Sequence, residues 1–428
     1  MEIKQRIAVI GGGVSGLSVA RILGAQHDVT VFEADARPGG MIKCDLVEGN
    51  LFHRTGGHVF NTKRTDVARW FWARFNREAE FTKALRQSVI SLDGSLEVPY
   101  PIENNVYRLP AEVQQSCIAD FLRMAREGYG APENFADFLR LRFGDTLYRL
   151  YFKPYNDKVW RRDLRQIPLS WLDGKLPMPT VSEILAANFS RAEERQFVHS
   201  SFFYPLSGGS QFIAERLAEG LDMRYNARVE RLERTETGWH VEGQHFDAVI
   251  FCGNLKQLPA LASDILADAE VQGISALEAH GTTAVFCEIE RNNHSWIYLP
   301  DARHESHRII CTGNFSPANN APERFTATIE FTDAVSREEI AENLQRIPYR
   351  PRYLAHHYEP FTYPVQAPGT RQLVADLKRR LEPQGLYLLG RFAEWEYYNM
   401  DVASEFLEMA ARLVHIKSVM LLPRYEEE

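Results

Sequence analysis

Residues Ile7–Glu33 read IAVIGGGVSGLSVARILGAQHDVTVFE, and the order of their patterns decides the fold. Ile7–Ile10 is an apolar run of strand length. Gly11, Gly13 and Gly16 follow in G-x-G-x-x-G spacing, with Val14 and Ser15 between the last two. Leu17–Leu23 has helical periodicity, Asp28–Phe32 reads as a second strand, and Glu33 closes it. Strand, glycine turn, helix, strand and acid together describe a dinucleotide-binding unit. Gly11 allows a tight turn, Gly13 a close approach to a pyrophosphate, and Gly16 close helix–strand packing. The helix start offers unpaired N–H groups and a positive dipole end to phosphates. Glu33 stands where a carboxylate can accept hydrogen bonds from ribose hydroxyls. A glycine-rich turn in another α/β fold is the rival reading. It leaves the strand before, the helix after and the acid beyond unexplained.

The chain continues Ala34-Asp35-Ala36-Arg37-Pro38-Gly39-Gly40-Met41. An acid, then a basic residue, then a Gly-Gly pair resembles the continuation found in FAD-binding flavoproteins. FAD is therefore favoured over free NAD. The expected contacts from this end are Gly11, Gly13, Val14, Ser15, Gly16, Glu33, Ala34, Arg37, Gly39, Gly40 and Met41.

At 428 residues the chain exceeds one ordinary domain. A net charge of −8 argues against a general nucleic-acid binder, though a local cationic pocket for an anionic ligand remains compatible. The five cysteines are scattered without a C-x-x-C, which argues against a disulfide framework or zinc site. No metal site is expected. No apolar run is long enough for a membrane span. The glycines and Arg21 interrupt residues 7–25 as a signal-peptide core. A cytoplasmic location is the expectation, and the oligomeric state is left open.

The nucleotide fold reads as discontinuous. Residues 1–62, 203–258 and 366–428 are expected to form the FAD-binding domain, with buried strands at Asp247–Phe251 and within Gly385–Gly390. Residues 63–202 read as a mainly helical insert, interrupted by a hairpin in Ser88–Ile102 with an Asp93-Gly94 turn. Residues 259–365 alternate as an antiparallel sheet for substrate. A last helix is expected over Asp401–Val414. The fold class is thus α/β, Rossmann-like, with a helical and a sheet insertion. Trp70, Trp72 and Phe75 suit either a core or a nucleobase-facing wall.

Beyond the common fingerprint, the chain resembles the UDP-galactopyranose mutase group of flavoproteins, related to amine oxidases and protoporphyrinogen oxidase. The resemblance is carried by Gly56–Thr62 (GGHVFNT), Phe152–Trp160 (FKPYNDKVW), Tyr204–Ser210 (YPLSGGS), Arg308–Phe315 (RIICTGNF), Thr362–Val365 (TYPV) and Gly390–Asp401 (GRFAEWEYYNMD). It implies a pyranose–furanose mutase acting on a nucleotide-activated sugar. N5 of a reduced flavin would attack the anomeric carbon and displace the nucleotide diphosphate. NAD(P)H or another donor would serve only to reduce the flavin.

The resemblance also implies roles. Arg308 would meet the diphosphate, with the second arginine of the family falling near Lys175, a lysine here. Tyr204, Tyr363 and Tyr398 would surround sugar and diphosphate. Trp395 stands where a tyrosine is usual, and Trp160 would face the flavin's substrate side. His58 would lie by the isoalloxazine. Val229, Gly390, Arg391, Asn399 and Met400 complete the cofactor set, and Asp401 would help open the last helix. Catalytic contributions would come from His58, Arg308, Tyr363 and Tyr398. Read without the resemblance, His58 is a structural loop histidine and Arg308 an exposed or ion-paired sheet residue. Two rivals stay open: a net FAD oxidoreductase of the amine oxidase or protoporphyrinogen oxidase type, and a protein with a structural FAD.

Overall fold

The computed structural model describes residues 4–169, 179–191 and 201–400. Two sheets carry the architecture. The first has five parallel strands in the order Leu386–Leu388, Ala248–Phe251, Arg6–Ile10, Asp28–Phe32, Asp222–Arg224. It therefore draws on the start, the middle and the end of the described chain. Its central strand is a continuous apolar run, as a sheet covered on both faces requires; Ile7, Ala8 and Val9 are wholly buried.

The helix after the first strand spans Val14–Leu23 and begins three residues earlier than its apolar periodicity suggests. Gly13, in extended geometry, is the N-cap, so Gly16 falls inside the first turn. There a β-carbon would sit 2.0 Å from the Gly11 carbonyl oxygen, which explains the glycine. Gly11 itself has φ +108°. Gly11, Glu33 and Cys252 all directly follow strands of this parallel sheet, at the carboxyl edge where open α/β sheets bind ligands.

The second sheet has seven strands: Arg352–Pro364, Ala279–Glu288, Thr326–Thr332, Arg308–Ile310, Trp296–Tyr298, Ser88–Ser91 and Glu97–Pro99. Most pairings are antiparallel. The Ser88–Pro99 hairpin joins at one end, parallel to Trp296–Tyr298. Its turn is tied by Asp93 Oδ1, which accepts from the Ser95 and Leu96 N–H groups.

Helices Ala111–Glu127, Phe135–Phe143 and Lys153–Trp160 pack around Phe121, Phe135, Leu139, Phe143, Leu147 and Tyr151, all buried. Trp70, Phe71 and Phe75 resolve as core. Phe71 stacks on Phe60 at 3.7 Å, and all belong to the cluster under the first sheet. All five cysteines are free thiols. Among the described residues no helix is long and apolar enough to cross a membrane. The expected helix over Asp401–Val414, and Lys175, lie outside the described residues.

Candidate functional site

A cleft runs from the carboxyl edge of the parallel sheet to the face of the second sheet. It holds two contiguous cavities of about 580 and 360 Å³, which share Gly11, Glu33, Gly40, Met41, Thr55 and Cys252.

The fingerprint builds the junction. The Gly39 N–H donates to the Gly12 carbonyl at 2.8 Å, so the Gly39-Gly40 loop closes onto the glycine turn. Gly13 and Gly40 pack against each other; a β-carbon on Gly40 would come within 3.2 Å of Gly13 Cα. Gly11, Gly13, Val14, Ser15, Glu33, Gly39, Gly40 and Met41 line the larger cavity. Ala34 and Val229 line the smaller one. Gly16 and Gly390 serve from behind; at Gly390 (φ +101°) a β-carbon would meet Ser15 Oγ at 2.6 Å. Glu33 accepts from the Gly12 N–H at 2.7 Å and the Asp35 N–H at 3.0 Å. This shape and donor set fit an extended dinucleotide.

Arg37 is placed otherwise than expected. Its guanidinium donates to the Cys44 carbonyl at 2.6 Å and pairs with Asp45, lining neither cavity. The cations on the smaller cavity are Lys43, Arg54 and Arg228. Lys43 is buried, pairs with Asp35 and lies 3.6 Å from Glu33 Oε1. Its hydrogen bond holds the Asp35 carboxyl below the usual range. These cations fall beyond the Gly-Gly pair, in links outside the strands, so no spacing marks them.

The far wall belongs to the second sheet. Arg308 and Glu330 are opposite in register, and Arg308 Nε donates to Glu330 Oε2. Arg308 Nη2 donates to Tyr363 Oη at 2.9 Å. Glu330 Oε1 accepts from the Gly56 N–H at 2.7 Å, and His307 Nε2 lies 3.6 Å from Oε2. Burial pushes the Glu330 carboxyl up, but Arg308 and His307 outweigh it and hold it well below the carboxylate range. Burial likewise lowers Arg308, yet Glu330 and Tyr363 raise it, and it stays charged. Behind this wall Lys158 donates to the carbonyls of Leu299 and Ser306, at 2.8 and 2.9 Å. That pins the loop leading into Arg308 against the Lys153–Trp160 helix of the insert.

The end of the described chain forms the third side. Arg391 donates to the carbonyls of Thr362 and Tyr398, at 3.1 Å for each, and lies over the Tyr397 ring at 4.7 Å. Tyr397 in turn stacks on Tyr363, rings 5.8 Å apart and 6° from parallel. Tyr398, Asn399 and Met400 complete this side. His58 also faces the larger cavity. Burial pushes its imidazole down to about 3, so it is neutral. Behind it, burial pushes His53 down to about 4; its Nδ1 accepts from the His58 N–H at 3.3 Å.

The cleft thus gathers His58, Arg308, Tyr363, Tyr398, Arg391, Asn399 and Met400 from distant segments. Three expected substrate residues are not among its lining. Tyr204 is wholly buried, its Oη 2.7 Å from His53 Nε2 and 3.0 Å from Asn319 Nδ2. Its strand pairs with Phe81–Leu85, and alternation turns Tyr204 inward, behind the histidines. Trp395 is wholly buried against Phe392, and its carbonyl accepts from Gln366. From that segment Tyr397 and Tyr398 reach the cleft instead. Trp160, at the end of its helix, donates to Asn156 Oδ1 at 3.2 Å and packs on the helical core. Sequence reasoning also missed Arg86, Trp296, Tyr298 and Glu330. Glu330 had a signal: it is the one charge within TATIEFT.

A family model described as flavin containing amine oxidoreductase matches residues 14–347. The chain belongs to the flavin-containing amine oxidoreductase family. Its cofactor is a flavin. Within the family it is similar to dTDP-fucopyranose mutase of Escherichia coli, 26% identical over 182 residues, covering 41% of this chain and 46% of that protein. It is also similar to UDP-galactopyranose mutase of Mycoplasma pneumoniae, 25% identical over 182 residues, covering 38% and 42%. The matches span less than half the length of these curated relatives. A reduced UDP-galactopyranose mutase structure superposes with a TM-score of 0.86 at 19% identity, covering 96% of this chain and 94% of the other. A putative protoporphyrinogen oxidase from Exiguobacterium sp. 255-15 gives 0.73 at 16% identity, covering 96% and 99%. These two likenesses are of fold.

Proposed function

We propose that this flavoenzyme binds FAD and is a mutase that interconverts ring forms of a nucleotide-activated sugar. The single observation behind this reading is Arg308, a half-buried, permanently charged guanidinium in the cavity that the glycine fingerprint opens. Such a group suits a diphosphate leaving group and disfavours a cationic amine.

FAD would lie along the cleft, adenosine toward Glu33, Ala34 and Val229, and isoalloxazine toward His58, Arg391 and Met400. Reduced flavin, when bound, supplies a nucleophilic N5 for the anomeric carbon. Arg308 binds the departing diphosphate and holds it for return. Glu330 and Tyr363 fix the guanidinium's orientation. Tyr397 and Tyr363 present parallel rings on the substrate side. Neutral His58 adds no positive charge beside the flavin. Arg391 ties the Tyr397–Met400 segment to the sheet.

The FAD-loaded protein, reduced with dithionite, should convert UDP-galactopyranose or dTDP-fucopyranose to a furanose product separable by chromatography. The oxidised protein should not. No conversion of either sugar, with hydrogen peroxide released from an amine, would overturn the reading in favour of an oxidase.

A further inference from the structure

We infer that Arg86 is a second cation for the substrate's diphosphate, supplied by the sheet. The inference rests on the nucleotide-sugar reading above.

Arg86 precedes the Ser88–Ser91 strand and lines the same cavity as Arg308. Strand order makes the connection. Ser88–Ser91 lies beside Trp296–Tyr298, which lies beside Arg308–Ile310. Tyr298 is opposite Arg308 in register, and its Oη accepts from Arg86 Nη2 at 2.8 Å. Tyr298 thus stands between the two guanidiniums, whose strands are two spacings apart, about 10 Å.

The Arg86 guanidinium is held in place. Its Nε donates to Ser88 Oγ at 3.1 Å, and it lies over the rings of Trp296 and Tyr100 at 5.1 and 5.5 Å. A fork fixed in this way loses little freedom on meeting an anion. Arg308 shares its charge with Glu330, so by itself it balances a diphosphate incompletely. A second guanidinium on the same wall addresses that deficit. It comes from the short link leading into a strand of the sheet, away from the insert position where the family resemblance located its second arginine.

The test titrates FAD-loaded protein with UDP and with dTDP, followed by calorimetry. Arg86→Ala should weaken both at least about 10-fold, with flavin content and melting temperature unchanged, and Arg86→Lys should recover part of the loss. Arg308→Ala should weaken both as well. Unchanged affinity in Arg86→Ala, with the loss confined to Arg308→Ala, overturns the inference and leaves the mutase reading standing. A loss accompanied by lower flavin content and melting temperature, and not recovered by lysine, shows a packing role and also overturns it. Binding of neither nucleotide by the wild-type protein overturns both.

Discussion

Arg308 and Glu330 face one another on adjacent antiparallel strands, and the arginine Nε donates to a carboxylate that is almost completely buried. The pair sits on the second-sheet wall of the cleft and also joins that wall to the Gly56 loop. Its two members should therefore fail differently.

Arg308→Ala removes a charge that a desolvated diphosphate would meet. Binding of UDP should weaken by about 2–4 kcal/mol. Glu330→Gln instead leaves a half-buried guanidinium without its buried counter-charge. Folding stability should fall by about 3–5 kcal/mol, read by denaturant unfolding. A loss below about 1 kcal/mol would mean that the pair is solvated in solution.

Gly16→Ala tests the cofactor cradle. The new methyl group would collide with the Gly11 carbonyl, and backbone has no cheap escape. The first helix must shift away from the strand, carrying its N–H groups from the phosphate position. The variant should purify with little flavin absorbance and normal far-ultraviolet circular dichroism. Full flavin loading at wild-type affinity would show that the helix start does not contact the cofactor.

His58, on the cleft, and His53, behind it, set an acid limit. Burial lowers His53 to about 4, against about 6.5 in an unfolded chain. The unfolded state then binds more protons between those values, so stability falls as pH drops through that window. His53 contributes up to about 3 kcal/mol of this loss. His58, lowered to about 3, extends the loss further down. His53→Gln should flatten the stability curve between pH 6.5 and 4, measured by urea unfolding at each pH. An unchanged slope would assign the acid sensitivity to other groups.

The fingerprint was legible because its signals are local: strand run, glycine spacing, helix and acid lie within Ile7–Glu33. The helix start was read late because Val14 and Ser15 carry no apolar period, although Gly13 caps the helix. The substrate wall was less legible because register, which only tertiary pairing fixes, decides it. Nothing local says that Tyr298 should stand opposite Arg308, or that Ser88–Ser91 should pair parallel to Trp296–Tyr298. Trp395 rests on the resemblance alone, and that loop has no period to show which side faces inward. A left-handed residue at Trp395 itself (φ +51°) turns the chain there. Tyr204 was resemblance transferred one layer too far: it supports the histidines without reaching the cleft.

The last expectation concerns a carboxyl outside the cleft. Glu103 is buried in the insert beside Tyr151, and burial pushes its carboxyl up to about 7. In an unfolded chain it would titrate near about 4.3. The folded protein therefore binds more protons than the unfolded one between those values. The contribution to stability is full below the unfolded value and is lost as pH rises through about 7. Glu103→Gln keeps the shape and removes the charge. It should stabilise the protein at pH 8 by up to about 3 kcal/mol and change little at pH 4. Urea unfolding at both values decides the matter. Equal effects at the two pH values would show that glutamine acts through packing and that Glu103 does not titrate in this window.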